Sequence, residues 1–442
     1  MGRTRAVVVS VVAALIATLV PALAPTPTAQ AAPDTVVALG LYGTGNGHGR
    51  GMSQWGAYGY AVDHGWEWEQ ILDHYYGGTS NGATPAGQRI RVRLLGYDGL
   101  ETVGVVSHGS GVQWNGTTAP SMYARETAKG PFDIYRGDKV GCPSSTSLTV
   151  PDGPVSKNPG TYSAAAAQVQ AFLKAFQDGA IVVDGYFGDQ TESVLAAWQQ
   201  SQGLPVDGTV WDGDDANRAR AQIAAAVDSV TWTKIGSHQQ TAGNPLRFTA
   251  AGMDDGSVDR AEVLGVCKNS GAVIHYRGAV EVVDTADGNR VVNDVTAENY
   301  LRGVVPKEIS ASWAAAGDGA GVHAVRAQAV AARSYGLEQN RNYVYDGTST
   351  RYATTCDTTS CQVYAGAATR SSANGTVTRV EQDATDAAIA ETANVVRIWD
   401  AGDKQGQIVS TEFSASNGPR TAGGAFPPVD DSGGDTDPSP LP

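Results

Sequence analysis

The chain has 442 residues, 41% of them hydrophobic, and a formal net charge of −14 at pH 7. This length allows two or three domains with sizeable cores. The acidic balance and the lack of any basic run argue against a nucleic-acid partner. The 54 glycines indicate many turns.

The amino terminus has the order of a secretory signal. Two arginines in residues 1–5 precede an apolar run over 7–20, then Pro21 and the small-residue sequence TAQAAP. This order predicts a signal peptide over 1–32, with an uncleaved membrane anchor as the alternative. No second long apolar stretch follows. We therefore expect a secreted, extracellular protein with no stable membrane span.

Glycine occupies every second position from 43 to 51, so that only polar side chains, among them His48 and Arg50, project from this loop. Such a loop can lie close against other backbone and present its polar groups on one face. It does not fit G-x-G-x-x-G and has no βαβ frame, which excludes a nucleotide site of that kind. A tight loop with a solvent-exposed histidine is the alternative.

The following segments predict a mixed fold. Ser53 can cap a helix, residues 66–76 form an amphipathic helix, and 88–94 alternate like a half-exposed strand. Short β-like runs continue to about 150 and resume after 230, on both sides of a strongly helical stretch. We predict an α+β main domain, mixed but rich in antiparallel strands, whose two parts share a sheet region. A small all-α module interrupts it.

The four cysteines form an even set in an exported chain, which predicts two disulfides. The simplest pairing is Cys356 with Cys361 and Cys142 with Cys267, although three connectivities are possible. A zinc site at Cys356 and Cys361 is the alternative, but residues 351–370 contain no other Cys or His. We expect no metal and no other cofactor.

Residues 299–337 carry the most distinctive pattern. Glu308 follows a strand-like run and Pro306, and the valines before it and Trp313 after it could raise its pKa. Its alternative role is a helix-start glutamate that interacts with the helix dipole. The sequence after it predicts a helix rich in small residues, and an arc of about 80° around the axis of this helix contains only small or apolar residues. These are Val322, Val325, Ala329, Ala332 and Gly336.

Two arginines, Arg326 and Arg333, lie at the edge of this apolar arc. An unpaired buried charge is very costly, so they need carboxylates or a ligand. Pairing of Arg326 with Glu308 would keep that carboxylate ionised and make it a poorer acid. We therefore assign Arg326 either to substrate or to a structural salt bridge. Gln328 and Tyr335 share a second helix face and could line a sugar cleft.

Four stretches, YLRGVVPKE, VRAQAVAARSY, CDTTSCQVYAG and GHGRGMSQWGAYGYA, resemble the stage II sporulation protein D family, also called SpoIID/LytB. The resemblance implies a bacterial cell-wall protein. Some members of this family are lytic transglycosylases that act on peptide-stripped glycan strands, and others enhance cell-wall amidases. The catalytic glutamate of the transglycosylases aligns with Glu308.

The resemblance also suggests which residues bind substrate. The segment FSASNGPRTAGG is similar to the family's serine- and glycine-rich return loop, although Pro419 replaces a glycine. The GHGxGMSQ block opens the mature chain here, whereas sporulation members have it later, so whether His48 reaches the Glu308 cleft is open. The candidates are Arg326, Gln328, Tyr335, His48, Arg50, Ser53, Gln54, Ser414, Ser416 and Asn417.

The helical stretch resembles the small peptidoglycan-binding module of many wall hydrolases. Its helix start near Asp189 and its apolar spacing support a helical unit independently. A structural spacer is the alternative. The residues that fit the module's motifs are Asp184, Tyr186, Phe187, Thr191, Gln199 and Asp207.

These observations predict five regions: a signal peptide at 1–32, a first SpoIID-like part at 36–160, the module at 163–227, a second SpoIID-like part at 228–428, and a disordered acidic tail at 429–442. The predicted function is cleavage of peptidoglycan glycan strands by a lytic transglycosylase that uses Glu308. Asp357 and Asp318 remain as further carboxylates. A non-catalytic enhancer of a wall amidase is the alternative.

Overall fold

A computed structural model describes residues 45–127, 131–143, 149–178, 181–226 and 230–434. The predicted signal peptide, residues 36–44 of the first predicted domain and the last eight residues of the predicted tail lie outside these ranges. Within the described part, no helix combines the length and the apolar character that a membrane crossing needs.

The described residues form eight α-helices: α1 Gln54–Val62, α2 Trp68–Tyr75, α3 Ala164–Phe176, α4 Asp189–Gln202, α5 Gly213–Ala226, α6 Ala297–Glu308, α7 Val322–Glu338 and α8 Asp383–Glu391. Short 3₁₀ turns cover Leu95–Tyr97, Ala311–Ala315 and Gly317–Gly319.

The strands up to residue 239 are β1 Met52–Ser53, β2 Thr79–Ala83, β3 Arg89–Arg93, β4 Thr102–Val106, β5 Val112–Trp114, β6 Thr117–Ala119, β7 Ser121–Glu126, β8 Pro131–Gly137, β9 Val155–Ser156, β10 Val210–Trp211 and β11 Trp232–Gln239. Those that follow are β12 Leu246–Phe248, β13 Leu264–Cys267, β14 Val273–Tyr276, β15 Ala279–Thr285, β16 Gly288–Thr296, β17 Tyr343–Val344, β18 Arg351–Ala353, β19 Thr355–Cys356, β20 Ala368–Arg370, β21 Val377–Arg379, β22 Val395–Trp399 and β23 Phe413–Ser414.

Two larger sheets build the main domain, one in the order β11-β8-β7-β4-β13-β14-β20-β21 and one in the order β12-β15-β16-β3-β19. Both join strands from the two sides of the helical module, because β8 pairs with β11 and β3 pairs with β16. Most pairs are antiparallel, whereas β19 runs parallel to β3. The predicted α+β class is confirmed, and the shared sheets make the module an insertion.

The inserted module has its own apolar core, built from α3, α4 and α5. This core also contains Val150 and Val155, and β9 pairs with β10. The indole of Trp211 donates a hydrogen bond to the carbonyl of Pro151 over 3.3 Å. The module therefore begins near residue 149, earlier than the predicted boundary at 160–163.

The run before Glu308 is helical, not strand-like as predicted. The hydroxyl of Thr296 caps α6 by accepting a hydrogen bond from the backbone N–H of Asn299. Pro306 lies in the last turn of α6, where it has no N–H to donate to the preceding turn, and the helix ends two residues later. Val304 and Val305 are fully buried on this helix. Their β-branched pattern suggested a strand, but packing against the core decides in favour of the helix.

Helix α7 is buried on two sides, as its small side chains allow. Val325, Ala329 and Ala332 of the predicted arc pack in the main core. Ala327 and Val330 pack in a second core shared with α1 and α2. Because small residues let neighbouring helices approach closely, α7 can lie between both cores and hold α6, α1 and α8 around it.

Residues 429–434 are folded, which corrects the first part of the predicted disordered tail. The carboxylate of Asp431 is buried and accepts a hydrogen bond of 2.6 Å from the hydroxyl of Tyr75. The carbonyl of Gly434 lies so close to α1 that a Cβ on Gly59 would be 2.1 Å from it. The glycines that weaken α1 as an isolated helix thus make room for the returning chain.

Candidate active site

Glu308 is the last residue of α6, at the helix end where the dipole disfavours a negative charge. Burial raises the pKa of its carboxyl group from 4.5 to about 7. The predicted apolar surroundings are present, since Val304, Val305 and Trp313 belong to the main core. Near neutral pH the group therefore holds its proton about half of the time, which suits a residue that donates and accepts protons.

Two hydrogen bonds from other parts of the chain hold this carboxyl group. One comes from the backbone of Val363 and the other from the side chain of Gln54, and both lower the pKa of Glu308 against the larger effect of burial. Val363 belongs to the CDTTSCQVYAG stretch and Gln54 to the GMSQ stretch. Three of the stretches noticed in the sequence thus meet at one carboxyl group.

Glu308 opens into a cleft of about 340 Å³. The lining residues come from the glycine loop, α6, α7, the disulfide turn and the return loop, and they are His48, Arg50, Glu308, Tyr335, Thr359, Cys361, Gln362, Val363, Glu412 and Phe413. His48, Arg50 and Tyr335 were predicted to bind substrate, and the cleft brings them together with Glu308. Asp357 and Asp318 do not line this cleft.

The glycine loop reaches the cleft because it lies directly on the return loop. At Gly51, φ is +66° and a Cβ would be 1.9 Å from the carbonyl oxygen of Glu412. At Gly47, φ is +113° and an added Cβ would be 2.7 Å from the Cβ of Ser414. Any larger residue would push the two loops apart. Through this contact the glycine loop brings His48 to the cleft that Glu308 also lines.

Arg50 and Glu412 form a bidentate ion pair at the cleft. The Nε of Arg50 donates to one carboxylate oxygen of Glu412 over 2.9 Å, and Nη2 donates to the other over 2.7 Å. This pairing lowers the pKa of Glu412, so Glu412 is ionised where Glu308 is half protonated. Glu412 was not predicted, although an acid directly before the FSASNG segment could have suggested it.

His48 connects the two loops rather than standing free. Its Nδ1 accepts a hydrogen bond of 3.0 Å from the backbone N–H of Arg50, which leaves the ring proton on Nε2 in the neutral form. The ring also makes a hydrogen bond with the backbone of Phe413. Burial and the neighbouring Arg50 lower the pKa of His48. The imidazole is therefore neutral at pH 7.

Tyr335 projects from α7 into the same cleft. Burial, and the nearby negative charges of Glu412 and Glu308 among others, raise the pKa of its phenol. The hydroxyl therefore stays protonated and can donate a hydrogen bond to a ligand. Gln328 lies behind the cleft instead of lining it, since it is buried and its side-chain oxygen accepts from Gln54 over 3.4 Å. Gln328 therefore reaches the cleft only through Gln54, and the structure does not support its predicted contact with substrate.

The arginines of α7 are structural. Arg326 forms an ion pair of 2.6 Å with Glu391 and does not line the cleft, which favours the structural salt bridge over the predicted contact with substrate. Arg333 is fully buried and pairs with Glu298 over 2.6 Å. It also donates to the carbonyls of Val395 and Ile389. The predicted need for carboxylate partners is met within the protein.

The predicted sugar contacts of the remaining serines and of Asn417 are not supported, because these groups hold the loops together. Ser53 is buried and caps α1. Ser414 donates to the side-chain oxygen of Asn417 over 2.7 Å, and the Asn417 amide donates to the carbonyl of Gly51. The Ser416 hydroxyl accepts from the backbone of Gly418. None of the four lines the cleft.

Both predicted disulfides are present. Cys142 is joined to Cys267, and Cys356 is joined to Cys361. The second bond closes a turn whose end carries Gln362 and Val363 into the cleft. With both thiols of this turn in a disulfide, the zinc alternative fails there. Among the described residues, no cluster of three His, Cys, Asp or Glu side chains could hold a metal ion.

The module's motif residues have mainly a structural role. The Gln170 amide donates to Asp184 and Thr191, and its oxygen accepts from the backbone of Asp184 and Gly185. Gln199 repeats this arrangement with Asp207 and Gly208. The module is thus an internal repeat in which a buried glutamine fastens each Asp-Gly turn.

Of the six predicted wall-binding residues in the module, Asp184, Tyr186 and Asp207 are exposed, Tyr186 at 44%. Phe187, Thr191 and Gln199 are buried, and a direct contact between them and the wall is therefore excluded in this fold. The motif residues thus shape the turns of the module. Neighbouring residues also contribute to the module's surface, for example Tyr162, which packs edge-on against Tyr186.

Comparisons with known proteins agree with this architecture. The family model for the stage II sporulation protein SpoIID matches residues 285–399, and the model for a peptidoglycan binding domain matches residues 163–210. The chain is 38% identical over 64 residues to an uncharacterized protein of Brachyspira hyodysenteriae. That match covers 14% of this chain and 16% of the relative. No solved structure matches significantly.

The SpoIID match contains Glu308, α7 and the disulfide turn, and the second match contains both glutamine-fastened turns up to Val210. These two matches support a cell-wall-related protein. The chain therefore carries a region similar to the SpoIID family and, inserted into its main domain, a module similar to peptidoglycan-binding domains.

Proposed function

We propose that the protein cleaves the glycan strands of peptidoglycan as a lytic transglycosylase, with Glu308 as general acid and then general base. The observation that carries the proposal is the pKa of about 7 of a carboxyl group that opens into a polar cleft. A glycosidic bond breaks when its leaving oxygen receives a proton, and a partly protonated carboxyl group near neutral pH can supply it.

The same group can complete the reaction. After donating its proton, the Glu308 carboxylate would accept the proton of the sugar's own 6-hydroxyl while that oxygen bonds to C1. This intramolecular attack forms a 1,6-anhydro ring and needs no positioned water. Hydrolysis would instead need a second carboxylate to activate water or attack the sugar. Glu412 is engaged by Arg50 through both oxygens, which favours the single-carboxylate route.

The module supports a role at the wall. Among the described residues, the large hydrophobic side chains that remain strongly exposed all lie in or beside it: Tyr162, Val182, Val183, Tyr186 and Val206. Exposed apolar and aromatic side chains can mark an interaction surface. We propose that it holds the enzyme on peptidoglycan outside the cell, after export by the predicted signal peptide.

The test is cleavage of purified peptide-free wall glycan by the pure protein. Wild type should release 1,6-anhydromuramic acid ends, and Glu308→Gln should lower the rate about a hundredfold or more. Arg326→Gln, which changes a charge away from the cleft, is the control and should cleave normally. Reducing ends in the product would contradict the transglycosylase route. No cleavage by wild type, with stimulation of a wall amidase, would favour the enhancer function.

A further inference from the structure

The Arg50–Glu412 pair uses only one edge of the guanidinium group. Glu412 takes the edge formed by Nε and Nη2, with one carboxylate oxygen on each nitrogen. A guanidinium has five N–H donors, so three remain after these two bonds. No other acceptor among the described residues takes a hydrogen bond from the Arg50 side chain. The end formed by Nη1 and Nη2 is therefore still able to bind a second planar anion.

This free end belongs to a residue that lines the cleft and is accessible. The side chain of Arg50 is 44% exposed and that of Glu412 is 31% exposed. An ion pair this exposed contributes little to folding stability. The loop is held instead by Gly51 against Glu412 and by His48 against Phe413. Holding the loop in place thus does not depend on the cation.

The remaining charges of the cleft make Arg50 the group that recognises an anion. The neutral His48 imidazole does not compete as a cation, and the Glu308 carboxyl group, half protonated near pH 7, carries only part of a negative charge. Among the described lining residues, Arg50 is the permanent positive charge. Glu412 fixes the orientation of the guanidinium, which reduces the entropy lost when a ligand binds. A planar carboxylate matches the free end better than a neutral group does.

We propose that Arg50 is a specificity-determining residue that binds the lactyl carboxylate of a muramic acid residue from which the stem peptide has been removed. The inference rests on the proposed function. In intact peptidoglycan this carboxyl group is an amide and carries no charge, and removal of the peptide exposes a carboxylate. Arg50 would then select stripped strands by charge. Glu412 acts as a positioning residue that holds the guanidinium group of Arg50 in place.

The test compares two forms of one substrate. Peptide-free glycan strands are used as the acid and after conversion of their lactyl carboxyls to methylamides. Wild type should prefer the acid form about 10- to 100-fold in kcat/KM, as expected for a charge-assisted bidentate contact. Arg50→Gln should lose that preference by cleaving the acid form more slowly. Glu412→Gln keeps the cation and should still prefer the acid form.

Binding provides a readout that does not depend on cleavage. Glu308→Gln and the double variant Glu308→Gln/Arg50→Gln are titrated with short soluble strands of both forms, and the acid preference should disappear only in the double variant. An acid preference that survives Arg50→Gln, or an equal loss on both forms, would overturn the inference. If wild type cleaves neither form, the proposed function fails, and the binding titration still decides the role of Arg50.

Discussion

The side chain of Gln54, at the start of α1, hydrogen-bonds the carboxyl group of Glu308, at the end of α6. This bond stabilises the ionised form and lowers the pKa of Glu308, whereas burial raises it. The pKa of about 7 is therefore a balance between two opposing effects. Gln54 in turn is held by Gln328 of α7, which makes the balance depend on three helices.

Replacing Gln54 should change that balance in a defined direction. Gln54→Leu removes a donor to the carboxylate and adds apolar surface, so the pKa of Glu308 should rise above 7. In the pH profile of kcat/KM, the fall on the alkaline side should move to higher pH. Gln328→Leu, which contacts Gln54 rather than Glu308, should give a smaller shift. An unchanged alkaline limb in Gln54→Leu would mean that this bond does not tune Glu308.

The raised pKa of Glu308 also predicts how stability depends on pH. Between pH 4.5 and about 7 the folded state holds this proton and the unfolded state does not, so stability falls as pH rises through that window. Glu308→Gln removes the free-energy cost of ionising this buried carboxyl group in the folded state. At pH 8 the variant should be more stable than wild type by about 1 to 3 kcal/mol, a range reduced for solvent contact.

Urea unfolding at pH 8 and at pH 4.5 measures this effect. The difference between Glu308→Gln and wild type should shrink at pH 4.5, where the carboxyl group is protonated in the folded state. An advantage of the variant that is the same at both pH values would show that its cause is packing and not titration.

The two ion pairs of α7 should respond very differently to mutation. Arg333 is fully buried, so Arg333→Leu leaves Glu298 without its partner and should cost about 3 to 5 kcal/mol. Arg326→Gln breaks a partly exposed pair with Glu391 and should cost less than about 1 kcal/mol. Thermal unfolding measures both. A catalytic defect in a stably folded Arg326→Gln protein would restore its predicted role in substrate binding.

The two disulfides should separate stability from activity. Cys142–Cys267 spans 125 residues, and its replacement by alanines should cost about 5 kcal/mol by loop entropy. Cys356–Cys361 spans 5 residues and should cost about 2 kcal/mol. The second pair, however, forms the turn that carries Val363 to Glu308. At a temperature where both variants are folded, only the loss of Cys356–Cys361 should lower cleavage.

Within the module, mutation of the adjacent residues Tyr186 and Phe187 should separate wall binding from stability. Tyr186 is exposed, so Tyr186→Ser should weaken sedimentation with insoluble peptidoglycan and leave the fold intact. Phe187 is buried, with 1% of its surface exposed. Phe187→Ala should therefore cost about 3 to 5 kcal/mol and unfold the module. Wall binding unaffected by Tyr186→Ser would move the binding surface elsewhere on the module.

Deletion of the module should start at 149 and not at 163, because Val150 and β9 belong to its core. A short glycine–serine linker can replace 149–226, since Gly137 and Trp232 are paired in the main sheet. The shortened protein should lose wall sedimentation and keep cleavage of soluble strands. Loss of both activities, with the fold retained, would argue that the module takes part in the active site.

The sequence alone determined the features that depend on local pattern. The periodicity of 322–338 identified a buried helix, Ser53 marked a helix start, and the alternation at 88–94 marked a strand. The even cysteine count led to the two correct disulfides. The motifs around Glu308 led to the carboxyl group of the cleft. The helix, cap and strand signals lie within a few residues of the features that they predict, so no knowledge of tertiary contacts is needed for them.

The tertiary structure decided the partners of the polar residues. Arg326, Ser416 and Asn417 resembled ligand contacts in the sequence, but each has a partner within the protein. Glu412 went unnoticed because its meaning depends on Arg50, at the other end of the chain. Whether a polar group is spent on the fold or left for a ligand depends on which distant acceptor reaches it, and only the folded chain determines that.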